Sequence, residues 1–134
     1  AAVILYLTAL FPDSGLAPKP GDPRRGEYLS WLFWYGNVME PVLIFAAAGL
    51  EHPYLSATFR GVPEVTARIA RALEHQPYLL GEEYSAADLL VHSPYAWFTD
   101  ATPDVPAIRD WVARCQAREA VARTRASDAA ALAA

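Results

Sequence analysis

The sequence predicts an all-α protein, a bundle of helices. Apolar residues recur at alternating three- and four-residue steps over most of the chain, and no stretch alternates with period two for long enough to make a convincing strand. Between the periodic stretches stand Pro, Gly, Asp and Ser, the residues that start and stop helices.

Residues 1–12 read as the end of an amphipathic helix, with Val3, Ile4, Leu7 and Leu10 on one face and no capping residue before them. A chain that begins inside a helical pattern implies sequence upstream of it. Residues 13–22 are dense in Pro, Gly and turn formers and read as an inter-domain linker. Residues 23–134 then form the helical domain. Asp22 can accept an early backbone N–H, and Pro23 suits a first helical position.

The helix that follows runs to about Ala48 and carries two adjacent apolar stripes. One is Tyr28, Leu32, Tyr35, Met39, Val42 and Ala46; the other is Trp31, Trp34, Val38, Pro41 and Phe45. A helix with one interface needs one stripe, so this helix is covered on most sides, or faces a partner subunit or a cleft. Pro41 removes a hydrogen bond and predicts a bend. Gly49 to Gly61 reads as an irregular connection. Pro63 opens a second helix that ends near His75, with Val65, Ile69, Ala72 and Leu73 inward and Glu64–Arg68 as an outward pair. A turn-rich loop around Pro77 and Gly81 precedes a third helix, from Ser85 to about Phe98, with a kink expected at Pro94. Ile108, Trp111, Val112 and Cys115 form the buried stripe of a fourth. Glu119 to Arg125 continues as a last helix, and residues 126–134 fray.

Composition bounds the function. Apolar residues make up 54% of 134, enough for one domain with a real core. With Lys+Arg 11 against Asp+Glu 15, the chain lacks the cationic surface that nucleic acid requires. Ten of the eleven basic residues are Arg and Ala is abundant, a composition that fits a GC-rich bacterium. The most apolar stretch, Val42 to Leu50, is far short of the roughly 20 residues of a membrane span. The lone Cys115 excludes an internal disulfide and fits a reducing compartment, and its place on an apolar stripe argues for a buried, inert thiol.

Ser85-Ala86-Ala87-Asp88 has capping-box spacing. The Ser hydroxyl can bond the N–H of residue 88, the Asp carboxylate can reach back to the N–H of residue 85, and Tyr84 and Leu89 occupy the staple positions. Ser85 and Asp88 are therefore structural caps. His52, His75 and His92 have no partner at metal spacing, and His92, one turn after Asp88, reads as a structural hydrogen-bonder. No phosphate loop and no nucleophile–base arrangement occurs, so no catalytic residue is assigned within this chain, and no metal.

The box with its context resembles the helical half of the cytosolic glutathione transferases. Pro77-Tyr78-Leu79-Leu80-Gly81 followed by Ser85-Ala86-Ala87-Asp88 is similar to the family's opening of its central helix. Val105-Pro106-Ala107-Ile108 with Trp111, Arg114 and Arg118-Glu119-Ala120 is similar to its closing segment, with Glu119 where Pro is usual. Ala1 to Leu7 resembles the last helix of the family's thioredoxin-like N-terminal domain. The resemblance implies a bundle of the glutathione transferase C-terminal type. It implies a homodimeric cytoplasmic detoxification enzyme that conjugates glutathione, its co-substrate, to small hydrophobic electrophiles. The catalytic Ser, Tyr or Cys would lie in the absent N-terminal domain, leaving this chain inactive by itself. It implies an electrophile-site wall at Phe33, Asn37, Glu40 and Trp97, and dimer contacts at Arg24, Tyr28 and Trp31. Glu40-Pro41 stands where many members carry a basic residue, which bears on substrate preference. The alternative is a non-catalytic ligand-binding or interaction module of the same fold.

Overall fold

The computed structural model describes residues 1–133; Ala134, the last residue of the expected helical domain, lies outside them. Helix α1 (Ala2–Leu10) leads through a short 3-10 turn (Pro12–Ser14) and the linker to α2 (Arg25–Trp34), which continues without a break through a π-helical segment (Tyr35–Met39) into α3 (Glu40–Ala47). Then come α4 (Pro53–Phe59), α5 (Val62–Ala72), α6 (Ala86–Trp97), α7 (Pro106–Gln116) and α8 (Glu119–Leu132). No strand forms among the described residues, only an isolated bridge between Tyr78 and Gly81. Among the described residues no helix is long and apolar enough to cross a membrane.

Helix α6 is the centre of the bundle, packed on α2 and α7, while α5 closes on α3 and α7. The first stripe of the long helix points inward as its spacing requires: Tyr28, Leu32, Met39 and Val42 are buried and Tyr35 is half-buried, although Ala46 is exposed. Trp31 of the second stripe is also buried, Trp34 and Val38 line the core's edge, and the half-buried Phe45 packs edge-on against Phe59. Before Pro41 the hydrogen-bonding pattern of the helix changes. The turn before the proline is widened, with the Glu40 N–H bonded to the carbonyl of Tyr35 five residues back. A widened turn gives the ring room against the preceding carbonyls, so the helix passes Pro41 and carries the buried stripe across it.

The expectations fail where packing, and not pattern, decides. Residues 53–59, expected to be irregular, form α4, with His52 Nδ1 accepting the Tyr54 N–H at 3.2 Å as its cap. Glu64 and Arg68 make no ion pair; Arg68 turns instead onto the rings of Trp31 and Trp34, 4.7 and 4.6 Å from their centroids. Leu89 is 43% exposed, and the Tyr84 ring packs on Tyr78 and under Arg118. The alanine-rich segment expected to fray stays helical to Leu132, consistent with the high helix propensity of Ala. Of the expected inner face of α1, only Ile4 packs on the core, with Leu5 beside it, whereas Val3, Leu7 and Leu10 are exposed.

Candidate functional site

The amino end of α6 shows what its polar residues do. Asp88 is fully buried and its carboxylate accepts four bonds. Oδ1 takes the Leu79 N–H at 2.8 Å and the Trp111 indole N–H at 2.9 Å; Oδ2 takes the Ser85 N–H and hydroxyl, each at 2.9 Å. The capping box closes in both directions, with the Ser85 oxygen also accepting the Ala87 N–H at 3.2 Å, one residue earlier than expected. The Ala86 N–H is taken by the carbonyl of Leu16 at 2.7 Å, so the linker completes the helix start. One carboxylate thus joins the Gly81 turn, α6 and α7. All its lone-pair directions are used, which leaves nothing for chemistry.

Two other buried groups of the core are His92 and Cys115, and the buried Trp31 indole N–H has no hydrogen-bond partner among the described residues. His92 Nδ1 lies 2.7 Å from the carbonyl of Asp88, the expected hydrogen bond, made to main chain; burial holds the imidazole below its usual pKa and the nearby Asp88 groups only partly offset this. Cys115 is fully buried and its thiol is pushed up to about 12 by burial, with the charge of Asp88 adding to the rise, so it is inert. Among the described residues no group of three His, Cys, Asp or Glu side chains converges to hold a metal ion.

The opposite character appears on the outer side of the long helix. Phe33 is 53% exposed, and Asn37 and Glu40 are exposed one and two turns on. Glu40 accepts a hydrogen bond from the Tyr35 hydroxyl at 3.1 Å. Burial raises the Tyr35 phenol, and the Ser93 hydroxyl of α6 beside it acts in the other direction. Tyr35 therefore stands beside Ser93, one turn before Trp97, which is 83% exposed at the end of that helix. Pro94 within this last turn frees the Leu90 carbonyl, and the Ser93 hydroxyl takes it at 2.7 Å.

The expected dimer contacts divide. Arg24 is on the surface, paired with Asp22 at 2.9 Å. Tyr28 and Trp31 are 0% and 3% exposed within the single chain, and both belong to its own core. Two cavities lie elsewhere. One, of about 380 Å³, sits between the linker and the Gly81 turn; the other, of about 410 Å³, lies between the long helix, α4 and α5. Neither is lined by Phe33, Asn37, Glu40 or Trp97. Sequence reasoning missed the Trp111–Asp88 bond, although a signal existed: a Trp on a buried stripe needs an acceptor for its indole N–H.

A long helix that bends its hydrogen bonding around Pro41, packed on a box-capped central helix in an all-α bundle, defines the helical domain of a glutathione-transferase-type protein. Residues 38–119 match the family described as glutathione S-transferase, C-terminal domain, and the chain belongs to that family. It is similar to the disulfide-bond oxidoreductase YfcG of Escherichia coli strain K12, at 28% identity over 133 residues, covering 89% of this chain and 58% of that protein. Among solved structures it is similar to a glutathione transferase from Methylococcus capsulatus strain Bath, at 27% identity and a TM-score of 0.77, covering 96% of this chain and 66% of that one. A theta class glutathione S-transferase from Xanthomonas axonopodis pv. citri, solved with glutathione bound, matches at 27% identity and a TM-score of 0.68, covering 91% of this chain and 68% of that one. The chain thus spans somewhat over half the length of the curated relative it matches.

Proposed function

We propose that this chain is the electrophile-side domain of a cytoplasmic enzyme that conjugates glutathione to small hydrophobic electrophiles. Phe33, Asn37, Glu40 and Trp97 form the wall of the electrophile site. The observation that carries this reading is the placement of Phe33 and Trp97: large aromatic side chains are held in solvent by rigid helices whose inner faces are already full. Aromatic surface with a few polar groups beside it is what an apolar ligand needs. The Tyr35–Glu40 pair supplies the polar part and fixes where a nitro or carbonyl oxygen of the electrophile could not sit, since a carboxylate repels it.

Glutathione is the co-substrate, and the group that ionises its thiol belongs to a thioredoxin-like domain outside these 134 residues. The hydrogen bonds that occupy Asp88 and His92, and the burial that keeps the Cys115 thiol protonated, support that division, because none of these three core groups is available to ionise a bound thiol. Conjugation of a chloronitrobenzene, followed by absorbance, tests the proposal. The 134-residue chain alone should give the uncatalysed rate. In the protein that includes the thioredoxin-like domain, Trp97→Ala and Phe33→Ala should raise KM for the electrophile several-fold and leave KM for glutathione unchanged. Equal effects on both substrates would reject the assigned wall.

The similarity to YfcG favours a second reading, in which the electrophile is a disulfide and the same wall holds the disulfide substrate. Reduction of a mixed disulfide by glutathione, without turnover of the chloronitrobenzene, would select it. A homodimer completes the proposal. Arg24→Glu is the informative variant in sedimentation velocity, because Trp31→Glu would place a charge in the monomer's core and unfold it.

A further inference from the structure

We infer that the cleft between the long helix, α4 and α5 is a binding site for a small aromatic carboxylate, separate from the electrophile wall. The cleft has a volume of about 410 Å³, within the range of small-molecule sites and far larger than an inorganic anion fills. Its lining has two parts. Trp34 and Phe59 supply aromatic faces, and Arg60, Arg68 and Arg71 supply guanidinium groups against the single carboxylate of Glu64.

The charge of Glu27 acts on Arg68, but among the described residues no carboxylate pairs directly with any of the three arginines, and Arg60 and Arg71 have no side-chain hydrogen bond either. Arg68 is held in place by its two Trp rings and a 3.4 Å bond to the Ser30 hydroxyl, which uses one of its five N–H donors. Burial lowers the Arg68 pKa, a cost that a bound anion would offset. Arg60 ends α4 at φ 59, the one non-glycine residue at positive φ among the described residues. A position that glycine would occupy at no steric cost carries instead a guanidinium at the cleft's edge. A guanidinium presents parallel N–H donors that match a carboxylate, and the ring faces next to them match a planar apolar body. A phosphate would satisfy the charge and leave the aromatic wall uncovered; a neutral arene would do the reverse.

The test is a titration of the isotopically labelled chain, following the indole N–H resonance of Trp34, with benzoate, with benzamide as its uncharged isostere, and with inorganic phosphate. Benzoate should shift that resonance saturably, and benzamide and phosphate should each bind at least roughly tenfold more weakly. Arg71→Gln, at an exposed position, should weaken benzoate roughly tenfold with an unchanged unfolding midpoint, and Arg60→Gln should do the same. Absence of a saturable shift would overturn the site. So would equal binding of benzamide, which would make the cleft merely apolar, or equal binding of phosphate, which would make it merely charged. Retention of wild-type affinity in both Gln variants would remove the guanidinium groups from it. None of these outcomes depends on conjugation activity, so the site and the proposed function stand or fall separately.

Discussion

The amino end of α6 and the outer side of the long helix use similar residues to opposite ends. At α6, Ser85 and Asp88 are buried and every hydrogen-bonding direction of the carboxylate is used. On the long helix, Asn37 is exposed, and among the described residues the side chain of Glu40 bonds to the neighbouring Tyr35 hydroxyl alone. A buried polar group is retained where leaving it unpaired would be costly, so its partners explain it completely. An exposed aromatic with polar neighbours has no such internal explanation, and the proposed electrophile wall is drawn from such residues. The contrast separates residues that make the fold from residues that are free to act.

Deleting the hub should produce the largest effect. Asp88→Ala leaves two backbone N–H groups, the Ser85 hydroxyl and the Trp111 indole without their acceptor, and should cost about 3–5 kcal/mol in urea denaturation. Asp88→Asn keeps one acceptor oxygen and should lose roughly half as much. Near-wild-type stability in Asp88→Ala would break the comparison, since the carboxylate would then be free for another task. Ser85→Ala removes the cap but leaves the hub's other three donors, and about 1–2 kcal/mol should be lost in the same assay.

A pH series sharpens the comparison through His92. Burial depresses its folded-state pKa below the ordinary 6.5, so the unfolded chain binds a proton first as pH falls. The contribution of the neutral ring is fully present above 6.5 and is lost as pH drops through the window down to the depressed value. Thermal unfolding between about pH 7 and about pH 5 should therefore fall more steeply for the wild type than for His92→Gln. Parallel curves would mean that the ring is not held neutral by its surroundings.

The smallest effects belong to the outer face. Phe33→Ser and Asn37→Ala should change stability by no more than about 0.5 kcal/mol, because neither side chain is part of the core. A loss of about 2 kcal/mol or more in either would place that residue among the fold-making ones and withdraw it from the electrophile wall.

What the sequence determined by itself is what local spacing determines. The three- and four-residue steps placed Leu32, Met39, Val65, Ile69, Ile108, Trp111 and Cys115 inside, and four consecutive residues from Ser85 to Asp88 specified a helix start together with its cap. Those signals lie within one or two turns of chain, so no partner has to be known to read them. Tertiary structure alone decided which distant group each polar atom meets. It brought Trp111 and Leu79 to the same carboxylate oxygen, joined the linker carbonyl of Leu16 to α6, turned Arg68 from Glu64 to the two tryptophans, and withdrew Tyr28 and Trp31 from the surface. It also made α4 from a segment whose own pattern reads as a connection. The physical reason is the same in each case. Periodicity reports which face of a helix is apolar, but two apolar stripes, or a cation within reach of both a carboxylate and an aromatic pair, are resolved only by what packs against them.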